Sequence, residues 1–348
     1  MSLPTTTREY RVPKAGSIDA LILTHGTIPT PTANDVLVKI RAVSLNYRDL
    51  MLVLGKYPGA KQNPIPCSDA AGEVVAVGDR VTKWRPGDRV AANFSPAHLA
   101  GEITGEIQGQ SLGANADGVL AEYRVFPAEG LVKIPDYLTF EQAATLPCAA
   151  VTAWNAFNGP VPLKGGDYVL VQGTGGVSVF AIQIAVALGA TVITTSSSNE
   201  KLEVAKKLGS HYLINYKENV DWEKEVLKIT GGKGVDHVIE VGGASTLLKS
   251  ITATRYAGWI HNIGFLAGFD TSVSLADITG GLLFKGITFR GILVGSVAQF
   301  EDMNRLFASH KIQPVVDNVF EFEKAKEAYE HLQSQKHVGK VVIRVAAN

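Results

Sequence analysis

The sequence is short of cysteine, has no excess charge of either sign and contains no long apolar run. Each shortage removes a class of protein. Only Cys67 and Cys148 occur in 348 residues. A disulfide-stapled secreted domain would carry more, so a reducing compartment fits better. No Cys-x-x-Cys pair exists, which excludes a thiolate-built structural zinc site. Lys plus Arg and Asp plus Glu each total 33. That balance argues against nucleic acid or an anionic membrane as the main partner. No window reaches the ~18 apolar residues that a membrane span needs. The stretch Met1–Val12 is polar and threonine-rich, unlike a signal peptide, so the expected location is cytoplasmic.

What is present is ample core material. Hydrophobic residues make up 46% of the chain, and its length points to two domains. From Tyr10 to about Val125 the text is β-rich. Val36–Val43 and Gly72–Val77 are short, β-branched and bounded by turn residues, and Gly87-Asp88-Arg89-Val90 reads as a turn into a strand. Phe94–Gly118 has several glycines and no strong period, and is expected to be a long surface excursion.

From about Phe140 the rhythm changes. Strands are expected at 167–172, 191–196, 211–215, 235–240, 259–263 and 287–292. Helices are expected between them at 176–188, 199–208 (capped by Asn199, ended by Gly209), 220–229 and 244–253. Such alternation implies parallel strands with crossover helices, a doubly wound α/β sheet. Two helical patterns, 298–309 and 324–333, and an apolar strand at 340–345 follow. This tail is too short for a domain and is expected to return to the β-rich part.

The strongest local signal is Gly173-Thr174-Gly175-Gly176-Val177-Ser178, between the strand DYVLVQ and a helix. Gly173 permits the tight turn, Gly175 lets backbone approach a pyrophosphate, and Ser178 supplies the small third position. The helix N-terminus offers free N–H groups and partial positive charge to phosphates. At the end of the second strand an NAD-specific site places a carboxylate on the ribose. Here the text is Thr194-Thr195-Ser196-Ser197-Ser198, followed by Lys201. Hydroxyls and an ammonium suit a 2′-phosphate, with Tyr216 placed to flank it, so NADPH is favoured over NADH. The competing reading is that the serines merely cap the next helix.

Further motifs are Asn46-Tyr47-Arg48-Asp49, Leu146-Pro147-Cys148, Thr152-Ala153-Trp154 and His337-Val338-Gly339-Lys340-Val341-Val342. With the glycine turn they resemble the medium-chain dehydrogenase/reductase superfamily over almost the whole chain, in its quinone-oxidoreductase-like and zinc-free branches. The resemblance implies a GroES-like catalytic domain, residues 1–149 with 295–348, around a Rossmann domain, residues 150–294. It also implies a cleft between them and a homodimer or homotetramer.

Where zinc-dependent members place ligands, this chain has Asn46, Ser68 and Cys148. A catalytic zinc needs about three protein ligands, so no metal is expected. The resemblance implies hydride transfer from NADPH to a quinone or activated C=C bond, with a donor stabilising the oxyanion. Candidates are Asn46, near the nicotinamide or substrate, and the phenols of Tyr47 and Tyr57. By position, further cofactor contacts are Thr152, Gly242, Gly264, Phe265, Leu266, Leu293, Val294 and Lys340. Alternatives are a zinc-free carbonyl or alcohol oxidoreductase, a biosynthetic reductase of a larger metabolite, or an NADPH-binding structural protein, because fold does not fix function.

Overall fold

The computed structural model describes residues 4–266, 268 and 273–346; Met1–Leu3 of the polar N-terminal stretch lie outside the described residues. The chain forms two compact units, residues 1–151 with 294–348, and residues 152–293.

The first unit opens with an antiparallel pair, β1 (Thr6–Arg11) and β2 (Ile22–Thr27). β3 (Asp35–Ser44) is the hub of the main sheet, since it is long and its branched residues are buried. After it comes α1 (Tyr47–Val53), whose start is fixed by Asp49: its carboxylate accepts the Asn46 main-chain N–H at 2.8 Å. β4 (Asp69–Val77) lies antiparallel on β3, and β5 (Arg89–Ala92) on β4.

The stretch expected to be a surface excursion is a correction. Phe94, Ser95, His98, Ser111, Leu112 and Ala114 are buried, with only a short helix, α2 (Gly105–Gln108), within it. Its glycines are there for close packing. A Cβ on Gly118 would lie 2.0 Å from the Cys67 carbonyl oxygen, and one on Gly113 would lie 2.6 Å from it. Cys67 itself sits at φ +69°, in the left-handed region. The unit continues with β6 (Tyr123–Pro127), β7 (Leu131–Lys133) and α3 (Phe140–Ala143), then a buried π-helical turn at Leu146–Ala150 that periodicity did not reveal.

The second unit opens with α4 (Val151–Phe157) and holds the alternation read from sequence. In order come β8 (Tyr168–Gln172), α5 (Gly176–Ala187), β9 (Thr191–Ser196), α6 (Asn199–Lys207), β10 (Tyr212–Asn215), α7 (Trp222–Ile229), β11 (Val235–Glu240), α8 (Ala244–Ala253), β12 (Thr254–Asn262), α9 (Leu275–Lys285) and β13 (Thr288–Gly291). All the pairings are parallel, in the order β10-β9-β8-β11-β12-β13. Strand order therefore reverses between β8 and β11, the switch point where such sheets bind ligands. β8 and β11 are almost wholly buried because helices cover both faces of a parallel sheet.

Two of the differences from the expected boundaries have a visible cause. The N-cap of α6 is Ser198, whose hydroxyl accepts the Lys201 N–H, and not Asn199. β12 starts at Thr254, ahead of the expected Trp259, because its register against β11 shifts and Ala257 takes φ +54°.

The chain then returns to the first unit through α10 (Val297–His310), β14 (Val316–Glu321), α11 (Ala325–Gln333) and β15 (Lys340–Arg344). β15 pairs antiparallel with β3 and parallel with β14, so the apolar tail completes the core of the β-rich unit.

Candidate active site

In the first unit, β15, β4, α1 and the π-helical turn bring together Asn46, Asp49, Asp69, Cys148 and Lys340. Lys340 is only 3% exposed, and its ammonium donates to the Leu45 carbonyl at 2.7 Å and to Asn46 Oδ1 at 2.5 Å. Asp69 is fully buried and accepts from Ser68 Oγ at 2.6 Å and the Cys148 N–H at 3.0 Å. Burial pushes the Asp69 carboxyl above the usual range, while Lys340, Ser68 and the Asn46 amide pull it back. Burial also raises Asp49, to about 6, against the pull of Arg48. The Cys148 thiol is driven up by burial and by Asp69.

Arg48 is the member that sequence reasoning passed over. Its guanidinium lies between two rings, 4.7 Å from the Tyr57 centroid and 4.9 Å from that of Phe94. It donates to the Leu112 carbonyl at 2.8 Å and approaches Asp49 at 3.5 Å. Tyr57 is thus held beside the start of α1. Tyr47 is 38% exposed on the first turn of that helix. Asn46, Tyr57 and Lys340 therefore belong to one connected cluster. Nothing in periodicity announces it, because Asn46 and Lys340 are 294 positions apart.

In the second unit the glycine turn joins β8 to α5. Gly173 takes φ +70° and its N–H donates to the Thr195 carbonyl at 2.7 Å; Ser178 Oγ donates to the Gln172 carbonyl at 2.7 Å. A Cβ on Gly173 or Gly175 would meet no atom within 4 Å, so the glycines leave open space above the helix start. Gly175 is the N-cap of α5, and Gly176 and Val177 open its first turn beside the buried Thr174. Ser196 ends β9 and Ser197 follows it, and the Tyr216 N–H donates to the Ser196 carbonyl at 3.0 Å. Lys201 lies on the first turn of α6. The same turn carries the exposed Glu200, which accepts a hydrogen bond from the Ser198 hydroxyl.

Gly242 follows β11 and Gly264 follows β12. Phe265 and Leu266 beyond it are exposed, as is Leu293 past β13; Val294 is buried at φ +50°, and Thr152 is buried on α4. The sequence reading also missed Glu240, which builds the Gly242-Gly243 turn. Its fully buried carboxylate accepts from the N–H groups of Gly242 (2.9 Å) and Gly243 (3.0 Å), Thr246 Oγ1 (2.6 Å), Gln172 Nε2 (2.7 Å) and Ser250 Oγ. An acid ending a buried strand just before Gly-Gly was the available signal.

The two groups that this fold implies fare differently. The residues fit a dinucleotide: a glycine cradle that Cβ atoms would fill, a helix N-terminus behind it, and hydroxyls with a lysine at the ribose end. They do not fit a catalytic zinc. Asn46 Oδ1 is taken by the Lys340 ammonium, Ser68 Oγ by Asp69, and Cys148 alone offers a thiol. Among the described residues no three His, Cys, Asp or Glu side chains gather as a metal-binding set.

A GroES-like β-rich unit interrupted by a doubly wound parallel sheet defines a class of oxidoreductases. The chain matches the family models for the alcohol dehydrogenase GroES-like domain over residues 32–136 and the zinc-binding dehydrogenase over residues 176–309. It is 49% identical over 314 residues to a zinc-type alcohol dehydrogenase-like protein of Schizosaccharomyces pombe, covering 89% of this chain and 91% of that one. It is 29% identical over 322 residues to the acryloyl-coenzyme A reductase of Metallosphaera sedula, covering 90% and 93%.

Among solved structures, a candidate alcohol dehydrogenase of Sinorhizobium meliloti 1021 superposes with TM-score 0.90 at 40% identity, covering 99% and 100%. An NAD-dependent alcohol dehydrogenase gives 0.88 at 33%, and Escherichia coli quinone oxidoreductase complexed with NADPH gives 0.82 at 25%, each covering 97% of this chain and 100% of the other. The chain belongs to the medium-chain dehydrogenase/reductase superfamily.

Proposed function

We propose that this protein is a zinc-independent, NADPH-dependent oxidoreductase that transfers hydride to a quinone or to the activated C=C bond of an enone or enoyl substrate. The observation that carries this reading is the donor set at Asn46. A buried ammonium, an amide and a hydroxyl-bound carboxylate stand there, and they supply hydrogen bonds and charge rather than metal ligands. NADPH, when bound, supplies the hydride.

Gly173, Thr174, Gly175, Gly176 and Val177 hold the pyrophosphate. Ser196, Ser197, Lys201 and Tyr216 take the 2′-phosphate, which a carboxylate at that strand end would repel. Thr152, Gly242, Gly264, Phe265, Leu266, Leu293 and Val294 serve the nicotinamide half. Asn46, Tyr47 and Tyr57 are the donors that meet the developing oxyanion; a phenol of ordinary acidity near 10 can deliver a proton at neutral pH. The likeness to an NADPH-complexed quinone oxidoreductase and to an acryloyl-coenzyme A reductase supports the same reading.

A second copy of the chain is the proposed partner. β13 is the edge strand of its sheet, with Phe289 exposed on it and Leu275, Leu283 and Phe284 exposed on α9 before it. No helix among the described residues is long and apolar enough to cross a membrane, and a cytoplasmic site of action is proposed from the low cysteine content.

One observation favours a second reading. The relatives named alcohol dehydrogenase, one of them NAD-dependent, support a carbonyl or alcohol oxidoreductase. NADPH oxidation against a naphthoquinone, an aliphatic enone, an enoyl thioester and an aldehyde, each repeated with NADH and with a chelator, separates the two. Turnover of quinone or alkene that ignores the chelator and weakens with NADH is expected. Aldehyde turnover alone, NADH preference or loss to chelator overturns the corresponding part.

A further inference from the structure

We infer that Lys340 is a positioning residue that fixes the Asn46 amide with its oxygen turned inward, leaving the amide N–H2 as the donor that a substrate oxygen meets. The inference deepens the reductase reading and rests on it for the identity of the reacting oxygen.

The geometry leaves one assignment. An ammonium has only donors, so the Asn46 atom it contacts at 2.5 Å is the carbonyl oxygen. Lys340 is held in place, because it is buried and also tied at 2.7 Å to the Leu45 carbonyl in the link from β3 to α1. The backbone of Asn46 is fixed as well, with its N–H on Asp49 and its carbonyl accepting the Asp49 N–H at 2.9 Å. Rotamer and flip state of the amide are therefore set before any ligand arrives.

What remains is Asn46 Nδ2, buried and without a hydrogen-bond partner among the described residues. The Asp69 carboxylate is the anion beside it: the Asn46 side chain draws that carboxyl downward as a hydrogen-bonding amide, but Nδ2 reaches it only loosely, outside the geometry of a closed hydrogen bond. A buried donor without an acceptor is costly, and active sites keep such groups for charge that develops during reaction. An ammonium on the oxygen side polarises the amide and strengthens that donor. The substrate class follows: the group facing Asn46 is an acceptor oxygen, such as a quinone or conjugated carbonyl that becomes an oxyanion as hydride arrives, and not a donor.

Asn46→Asp is the decisive variant. It keeps the shape, the helix start and an acceptor for Lys340, and replaces the N–H2 donor by a carboxylate oxygen whose charge faces the Lys340 ammonium. The kcat is expected to fall ~10²-fold or more, with NADPH affinity within about twofold of the parent. Activity should recover as pH falls and the new carboxyl gains a proton to donate. The charged and titratable groups facing it are Lys340 from β15, Asp69 from β4, Asp49 and Arg48 from α1, and Cys148 from the π-helical turn.

Lys340→Met should lower kcat to a similar degree, and adding Asn46→Asp to it should cost little more, since both remove one oriented donor. Lys340→Arg keeps a cation and guards against simple misfolding; it should retain more activity than Lys340→Met. A Lys340→Met protein whose NADPH affinity drops while kcat holds assigns Lys340 to the cofactor and overturns the inference. So does an Asn46→Asp enzyme of parental kcat. An amide spectrum of selectively asparagine-labelled protein without cofactor tests the geometry separately. The Asn46 side-chain pair should move in Lys340→Met, and an unmoved pair overturns the positioning role. If the parent protein reduces none of the substrates, the reductase reading fails and this spectrum still decides the Lys340–Asn46 contact.

Discussion

Replacing Glu240 by alanine should unfold the second unit at markedly lower denaturant. The carboxylate is fully buried and accepts hydrogen bonds from five groups, two of them the N–H groups of Gly242 and Gly243. Removing it strands those donors at the carboxyl end of β11, where the turn turns into α8. A single buried unsatisfied group costs ~1–3 kcal/mol, and breaking a buried charged network costs about 3–5 kcal/mol in total, because neighbours relax and the losses are not additive.

Glu240→Gln separates charge from shape. Whichever way the new amide faces, its N–H2 meets fixed N–H donors: the two glycine N–H groups on one side and the Gln172 N–H2 on the other, while the Thr246 or Ser250 hydroxyl must turn to accept from it. It should therefore cost about 1–3 kcal/mol despite its near-identical volume. Urea unfolding gives the stabilities. NADPH titration by fluorescence gives the consequence for the cofactor, whose affinity should fall in both variants as the Gly242-Gly243 turn loosens. A Glu240→Ala protein within about 1 kcal/mol of the parent would refute the reasoning, since it would mean that the network carries no net stability.

Ser197→Asp should raise the NADPH Kd by ~10-fold or more and spare NADH, because a carboxylate just past the end of β9 repels a 2′-phosphate; equal NADPH titration curves for parent and variant would remove Ser197 from the phosphate site. Stability should also depend on pH through Asp49. Burial raises its carboxyl from 3.8 to about 6, so the protonated form is the one that folding favours. Its contribution is present in full below about pH 4 and is lost as pH rises through about 6, on the order of 3 kcal/mol. Asn at this position should flatten that part of the urea-midpoint profile, with the raised Asp69 contributing in the same direction. Gly118→Ala should destabilise by ~3 kcal/mol or more, since its Cβ would fall 2.0 Å from backbone oxygen. Gly87→Ala, with nothing within 4 Å, bears only the strain of its φ of +91° and should lose ~1–2 kcal/mol; thermal or urea unfolding distinguishes them.

The sequence by itself determined what is local and periodic. Alternating runs from β8 to β13 announce a parallel sheet because its inner strands, such as β8 and β11, are buried on both faces by the helices between them. Gly173 and Gly175 announce the cradle because a tight turn and a bare backbone both require glycine, and the serines that follow Thr195 are readable because a missing carboxylate is visible in the text. Even there the helix cap fell on Ser198, one residue before Asn199, since both residue types can cap and only the backbone chooses.

Tertiary structure alone decided the rest. Phe94–Gly118 looked polar and irregular, yet much of it is core, because its glycines let the backbone close on Cys67 at distances no pattern of hydrophobicity encodes. Arg48 carried no assigned role in the text; the rings of Tyr57 and Phe94 flank it. Lys340 lay 294 residues from Asn46, and only the return of β15 onto β3 brings its ammonium to that amide. Local turns and periods follow from each residue's own backbone and side-chain preferences. Which buried charges meet follows from how the sheet is threaded, and that is set by the packing of the whole unit.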